Sequence, residues 1–196
     1  MRRIVLIDGE NLVYGLREML GKDGNRAPRS VMSSLGVRNL IEELLEDNLP
    51  VEIVWFGAKL RVYDSTKELY AKSKAAVQIQ SAFMNYLQDQ KIKFNKVGYL
   101  RARESDPCEK CGGQTWKLAE KGVDVGMAVA MLTEANKDTE LVVITSDTDL
   151  LPAFKAARKM GARIMHIGFE HRPISALSRN SDTNRNITRP LINKHK

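Results

Sequence analysis

Apolar residues run along this chain in short blocks. RIVLI at residues 3–7 and LVVIT at 141–145 are nearly uninterrupted. Such β-branched and aliphatic runs mark strands buried on both faces, as in a parallel sheet. Residues 51–56 (VEIVWF) and 163–168 (RIMHIG) predict two further strands, and 93–99 (KFNKVGY) a weaker one. The stretches between them have helical period. Val37–Leu45 puts Leu40, Ile41, Leu44 and Leu45 on one side. Residues 67–90 space Leu69, Ala76, Ile79, Phe83 and Leu87 by three or four, with one gap of seven. Residues 123–135 predict another helix, and 150–160 a fourth, with Pro152 near its first turn and Gly161 as its stop. Strand alternating with helix predicts an α/β fold with right-handed crossovers and a mainly parallel sheet of about five strands. Residues 21–29 and 102–114 read as polar loops.

The polar residues of interest fall at strand ends, because ligands of open α/β sheets bind there. After the first strand come Asp8 and Asn11, with Glu10 expected to face outward. After the 141–145 strand comes SDTD: Ser146, Asp147, Thr148 and Asp149. These two strands are expected to be neighbours, which would bring Asp8, Asp147 and Asp149 to one edge. Asp124 sits in the first turn of the helix leading into the 141–145 strand. Each acid has a plainer reading as a helix cap or helix-dipole partner. Clustered carboxylates, however, raise one another's pKa, and a fold that accepts this usually holds a cation. Hard oxygen donors suit magnesium or manganese, which can activate water for displacement at phosphorus.

Three stretches carry a resemblance. LIDGENL at the first strand end, KGVDVGMAVAML at 121–132 and VVITSDTDLLPAFKAARKMGARI at 142–164 resemble the NYN domain family, in that family's motif order. This is a branch of the PIN-like nuclease superfamily, and the likeness is to its bacterial LabA-like members. The resemblance implies a three-layer α/β/α PIN-like fold and metal-dependent cleavage of RNA. By position it implies that Asp8, Asp124, Asp147 and Asp149 hold magnesium or manganese. It further implies that Asn11 orients a water or a carboxylate, with Ser146 or Thr148 assisting. One departure stands out: many relatives carry a further acid where this chain has Ala130.

Composition adjusts this picture only in part. The chain has 196 residues, 43% of them hydrophobic, which suits one core domain. That domain is expected over residues 1–170, with an insertion around 102–116 and a basic tail at 171–196. Net charge is +7. The tail carries Arg172, Arg179, Arg185, Arg189, Lys194 and Lys196 against Asp182, and beyond Ile174 it is expected to order only on a partner. Such a tail is either solvated or follows a phosphate backbone. Lys59 and Arg61, interleaved with Tyr63 and Tyr70, follow the second strand. Arg101 and Arg103 follow the third, and Lys121 lies near Asp124. Together they make a candidate surface for RNA, single-stranded or structured, although an ordinary surface helix has the same composition. No apolar run approaches a membrane span. The five-residue apolar start does not read as a signal peptide.

Two cysteines make no disulfide framework, so the expected compartment is the reducing cytoplasm. Cys108 and Cys111 in DPCEKCGG form half of a tetrahedral zinc site. Three readings stand: a zinc knuckle completed from outside, for instance across a homodimer; a hairpin turn without metal; or a redox pair. His166 lies within a predicted strand and reads as a core or edge residue.

The leading expectation is a metal-dependent ribonuclease. The alternatives are a catalytically weak RNA-binding or regulatory module, for which Ala130 argues, and a structure-selective DNA nuclease. A dinucleotide-binding protein fails, because Asp-Gly-Glu-Asn is no glycine-rich phosphate loop. An Asp-x-Asp phosphatase fits poorly, because residue 10 is Glu.

Overall fold

β1 (Arg2–Asp8) sends alternate side chains to opposite faces of a sheet. Val5 and Ile7 enter one apolar cluster, Ile4 and Leu6 the other. β2 (Val51–Lys59) splits Ile53 and Trp55 from Val54 and Phe56 in the same way. A sheet apolar on both faces needs helices on both sides. A computed structural model, describing residues 1–22, 24–47, 49–108 and 111–196, has that form. On one side lie α1 (Gly9–Leu20), α2 (Val37–Leu45), the end of α3 (Lys67–Asp89) and α7 (Arg189–Lys194). On the other lie α4 (Val123–Glu134), α5 (Leu151–Lys159) and α6 (Ser175–Arg179). No helix among the described residues is long and apolar enough to cross a membrane.

The sheet has seven strands, not about five. Their order is β4 (Trp116–Lys121), β3 (Lys93–Glu104), β2, β1, β5 (Thr139–Ile144), β6 (Arg163–Phe169) and β7 (Thr183–Ile187). Neighbours run parallel except β3 and β4. The two additional strands form the sheet edges. β7 reads TNRNI and buries only Ile187 fully, so it lacks the apolar run of a central strand. β4 lies beyond the cysteines and begins where the expected insertion ends, in a stretch for which no strand is predicted. β3 also runs past the expected end, so Arg101 and Arg103 lie within the β3–β4 hairpin and do not follow the strand.

The segment 171–196 corrects a second expectation. It folds as α6, β7 and α7 without a partner, because Leu177, Ile187 and Ile192 are buried. Its charges find acids on the same molecule. Arg185 pairs with Glu46 at 2.8 Å, and Lys194 and His195 both reach Glu43 at 2.8 Å.

At the end of the sheet away from Asp8, Arg3 is buried between two carboxylates. It donates to Glu140 on the neighbouring strand at 2.5 Å and to Asp47 at 2.6 Å. His166 is buried in β6 with its Nε2 2.9 Å from the Thr145 carbonyl oxygen. Burial holds this imidazole below its usual pKa, while its hydrogen bonds to Thr145 and Asn184 oppose that.

Candidate functional site

Strand order reverses at the centre of the sheet. β2 and β3 lie to one side of β1, and β5, β6 and β7 to the other. At this switch point the chain after β1 turns to one face and the chain after β5 to the other. That opens a crevice at the carboxyl ends of the two strands. Asp8 ends β1, and Asp147 follows β5 by three residues.

Local structure explains the residue types at the first strand end. Asp8 is the N-cap of α1, and its Oδ1 accepts the Asn11 backbone N–H at 3.2 Å. The next residue has to be glycine. A Cβ on Gly9 would run into the Trp55 indole and come within 2.6 Å of the Phe56 carbonyl oxygen. Only a bare backbone lets α1 start this close to β2. Glu10 is exposed and pairs with Arg29.

Asp8 is 7% exposed, and three hydrogen bonds hold its carboxylate. Besides the backbone bond, Asn11 Nδ2 donates to Oδ2 at 2.6 Å and Thr145 Oγ1 donates to Oδ2 at 3.0 Å. Ser146 donates to Asn11 Oδ1 at 2.5 Å and accepts from the Arg172 guanidinium. Asp147 caps a short 3₁₀ turn (Thr148–Leu150), accepting the Asp149 N–H at 2.9 Å. Its own N–H goes to Thr145 Oγ1 at 3.0 Å. Burial pushes the Asp8 carboxyl above the usual range. The charge of Asp147 pushes the same way, against the pull of the hydrogen bonds from Asn11 and Thr145.

Asp8, Asn11, Ser146 and Asp147 therefore come together. Asp124 stands in the first turn of α4 and Asp149 in the 3₁₀ turn, and both are exposed. Among the described residues no hydrogen bond or ion pair joins either of their side chains to the Asp8 group, and Thr148 is exposed. No three Asp, Glu, His or Cys side chains among those residues group closely enough to hold a metal ion by themselves. Ala130 packs against the apolar cluster beneath α4.

The basic candidates lie toward the β3–β4 side. Lys59 closes β2, Arg61 stacks over Tyr63 at 4.6 Å, and Arg101 and Arg103 share one face of the hairpin. All four are exposed, as is Lys121 at the end of β4. Cys108 and Cys111 lie at the hairpin tip, both exposed. The Cys108 N–H donates to Gly113 at 2.9 Å and its carbonyl accepts from Gly112 at 2.7 Å. The two residues between the cysteines lie outside the described residues.

A model of the NYN domain matches residues 2–187. The chain belongs to the NYN domain family. An NYN domain is PIN-like, and the family is generally one of nucleases. Among solved structures, this NYN domain is similar to a protein of unknown function from Vibrio parahaemolyticus. Identity is 14%, coverage is 95% of this chain and 92% of the other, and the TM-score is 0.59, a likeness of fold alone. A looser likeness, at 13% identity and TM-score 0.39, is to Escherichia coli phosphofructokinase-2 in complex with potassium, over 91% of this chain and 56% of that one. No curated protein matches.

Three residues of interest at this candidate site are not singled out by the sequence. Thr145 reads as the last residue of a strand. Arg172 reads as tail charge, although it stands just after β6, at the same edge as Asp8 and Asp147. Applying the strand-end rule to β6 would have found it. Glu120 lies on unrecognised β4. Burial raises its pKa, and the nearby charges of Glu10 and Asp8 add to this against Arg29.

Proposed function

We propose that this NYN domain is a metal-dependent ribonuclease of LabA-like type. The observation that carries the reading is Asp8: a carboxylate buried at the switch point and pushed further toward protonation by Asp147. A fold gains from this arrangement when a cation arrives to share the two charges.

The donor chemistry suits magnesium or manganese. Magnesium keeps several waters and is commonly held by one or two carboxylates together with substrate phosphate. Asp8 and Asp147 would supply those carboxylates, with Asp124 and Asp149 completing the edge. Such an ion, when bound, would supply activation of a water and charge stabilisation at phosphorus, the chemistry that hydrolysis of a phosphodiester bond needs. Asn11 and Thr145 fix the Asp8 carboxylate, and Ser146 carries that order to Arg172. Arg172 also reaches Glu18 at 3.6 Å and lies 5.3 Å over Tyr14. From there its guanidinium can meet a phosphate oxygen. Lys59, Arg61, Arg101, Arg103 and Lys121 would guide the RNA strand across the hairpin side.

The test is incubation of single-stranded and hairpin RNA with magnesium or manganese, with and without chelator, beside Asp147→Asn. Metal-dependent cleavage lost in the variant is expected. Tight RNA binding with no cleavage in either metal would leave an RNA-binding or regulatory module. Cleavage of structured DNA alone would make it a DNA nuclease.

The cysteine turn is read as half of a zinc site in a cytoplasmic protein, completed by a second copy of the chain. One zinc per two chains, lost in Cys108→Ser together with the dimer, is the expected analysis of purified protein. Metal-free monomer would refute it.

A further inference from the structure

A cavity of about 760 Å³ opens beside the carboxylate edge, between α3, β2 and the β3–β4 hairpin. Its volume lies within the usual range for small-molecule sites. Its walls are mostly apolar and include three aromatic rings: Trp55, Phe83 and Phe94. Trp55 and Phe83 meet edge to face, with centroids 5.0 Å apart. Phe94 lies flush against the sheet because Gly57 has no side chain, and a Cβ there would come within 2.7 Å of the ring. Ile79, 63% exposed, stands on the cavity wall and leaves apolar surface facing water.

Three charged residues of the lining, Glu10, Arg29 and Glu120, stand on the Asp8 side. Glu10 lines the cavity and also lines a shallow basin beside Asn11, Arg17 and Arg172, so the two spaces adjoin. Arg29 pairs with Glu10 at that boundary. Glu120 is half-buried on the wall, with one long hydrogen bond from the Ala58 backbone N–H at 3.4 Å. Its oxygens thus retain acceptor capacity toward the cavity.

We infer that this cavity receives one unstacked guanine base of the RNA substrate, read by Glu120 beside the partly buried rings of Phe83 and Phe94. The proposal rests on the ribonuclease reading and gives it a substrate preference. Bases drawn out of single strands are held by aromatic stacking and by hydrogen bonds along the Watson–Crick edge. Guanine offers two adjacent N–H donors on that edge, matching the two oxygens of a carboxylate. Adenine offers one donor beside an acceptor, and uracil one donor between two acceptors, so each would set a lone pair against Glu120. With the base inside, Arg29 stands at the mouth for the attached phosphate, and the next phosphate lies toward Asp8.

The test separates the pocket from the chemistry. The 196-residue chain carrying Trp116→Phe retains Trp55 as its one tryptophan. It is titrated in chelator with GMP, AMP and UMP, following Trp55 fluorescence. Saturable quenching by GMP, about tenfold tighter than by AMP or UMP, is expected. Glu120→Gln removes the guanine preference, and Ala76→Phe, which fills the cavity, removes binding of all three. Circular dichroism checks that both variants fold, and Glu120→Gln alone suffices should Ala76→Phe fail to. Guanine binding without RNA cleavage in any metal upholds the pocket and refutes the nuclease. Metal-dependent cleavage with no guanine preference, unchanged in Glu120→Gln, refutes the pocket and upholds the nuclease. An environment-sensitive apolar dye that fills the cavity and is undisturbed by GMP also overturns the proposal.

Discussion

Thr145 and Asp8, 137 positions apart, meet through one hydroxyl. Thr145 Oγ1 donates to Asp8 at 3.0 Å and accepts the Asp147 N–H at 3.0 Å. One side chain therefore sets the spacing of the two carboxylates. Thr145→Val keeps the shape and removes both bonds. The expected cost is about 1–2 kcal/mol in denaturant unfolding. Losing a donor also raises the Asp8 pKa further, so the acid side of the pH–cleavage profile moves to higher pH. An unchanged profile would show that the hydroxyl serves only the fold.

Asp8 itself links stability to pH. Its folded pKa lies above the unfolded value of 3.8, so the folded chain binds more protons once pH passes that value. Its contribution is fully present below that value and is lost as pH rises through the folded pKa. Asp8→Asn removes this decline, so thermal melts should show the variant gaining on the parent from about pH 4 upward. Magnesium or manganese should raise the melting temperature of the parent and not of the variant. Equal responses to metal would place the ion elsewhere.

Arg172 reaches Asp8 only through Ser146 and Asn11. If it positions those groups and meets phosphate, Arg172→Ala should lower kcat about ten- to a hundredfold. Arg172→Lys should recover little, because an ammonium cannot reproduce the guanidinium fork. Full recovery by lysine would reduce its role to charge.

The Arg3–Glu140 pair gives a prediction about folding alone. Glu140→Ala strands a buried guanidinium that retains only Asp47, and should cost about 3–5 kcal/mol. Cleavage per folded molecule should not change, since the pair sits at the opposite end of the sheet. Urea melts with parallel activity assays would show the separation.

How much of this was legible in advance follows from burial. β1 and β5 are apolar on both faces, so their runs stand out, and their adjacency brings Asp8 and Asp147 to one crevice. β4 and β7 are edge strands with little of their length fully buried, and neither carries such a run. Glu120 stayed hidden because β4 carries no legible strand signal, whereas Arg172 follows the legible β6 and was masked by the basic charge of the stretch after it. The reason for Gly9 is purely tertiary: nothing in DGEN foretells that the Trp55 indole will press on it. The basic charge of the last 26 residues misled for a related reason, since its partners Glu43 and Glu46 lie far back in the chain.

Asp8 and Asp147 each close the start of a helical turn as well as facing the crevice. On the proposed ribonuclease reading, selection acts on them twice. A descendant that gave up chemistry would still keep both, because losing either frays the turn it begins. Asp124 and Asp149 cap no terminus, so drift would reach them first. Among lineages descended from this domain, those two positions are where abandoned catalysis would first become visible.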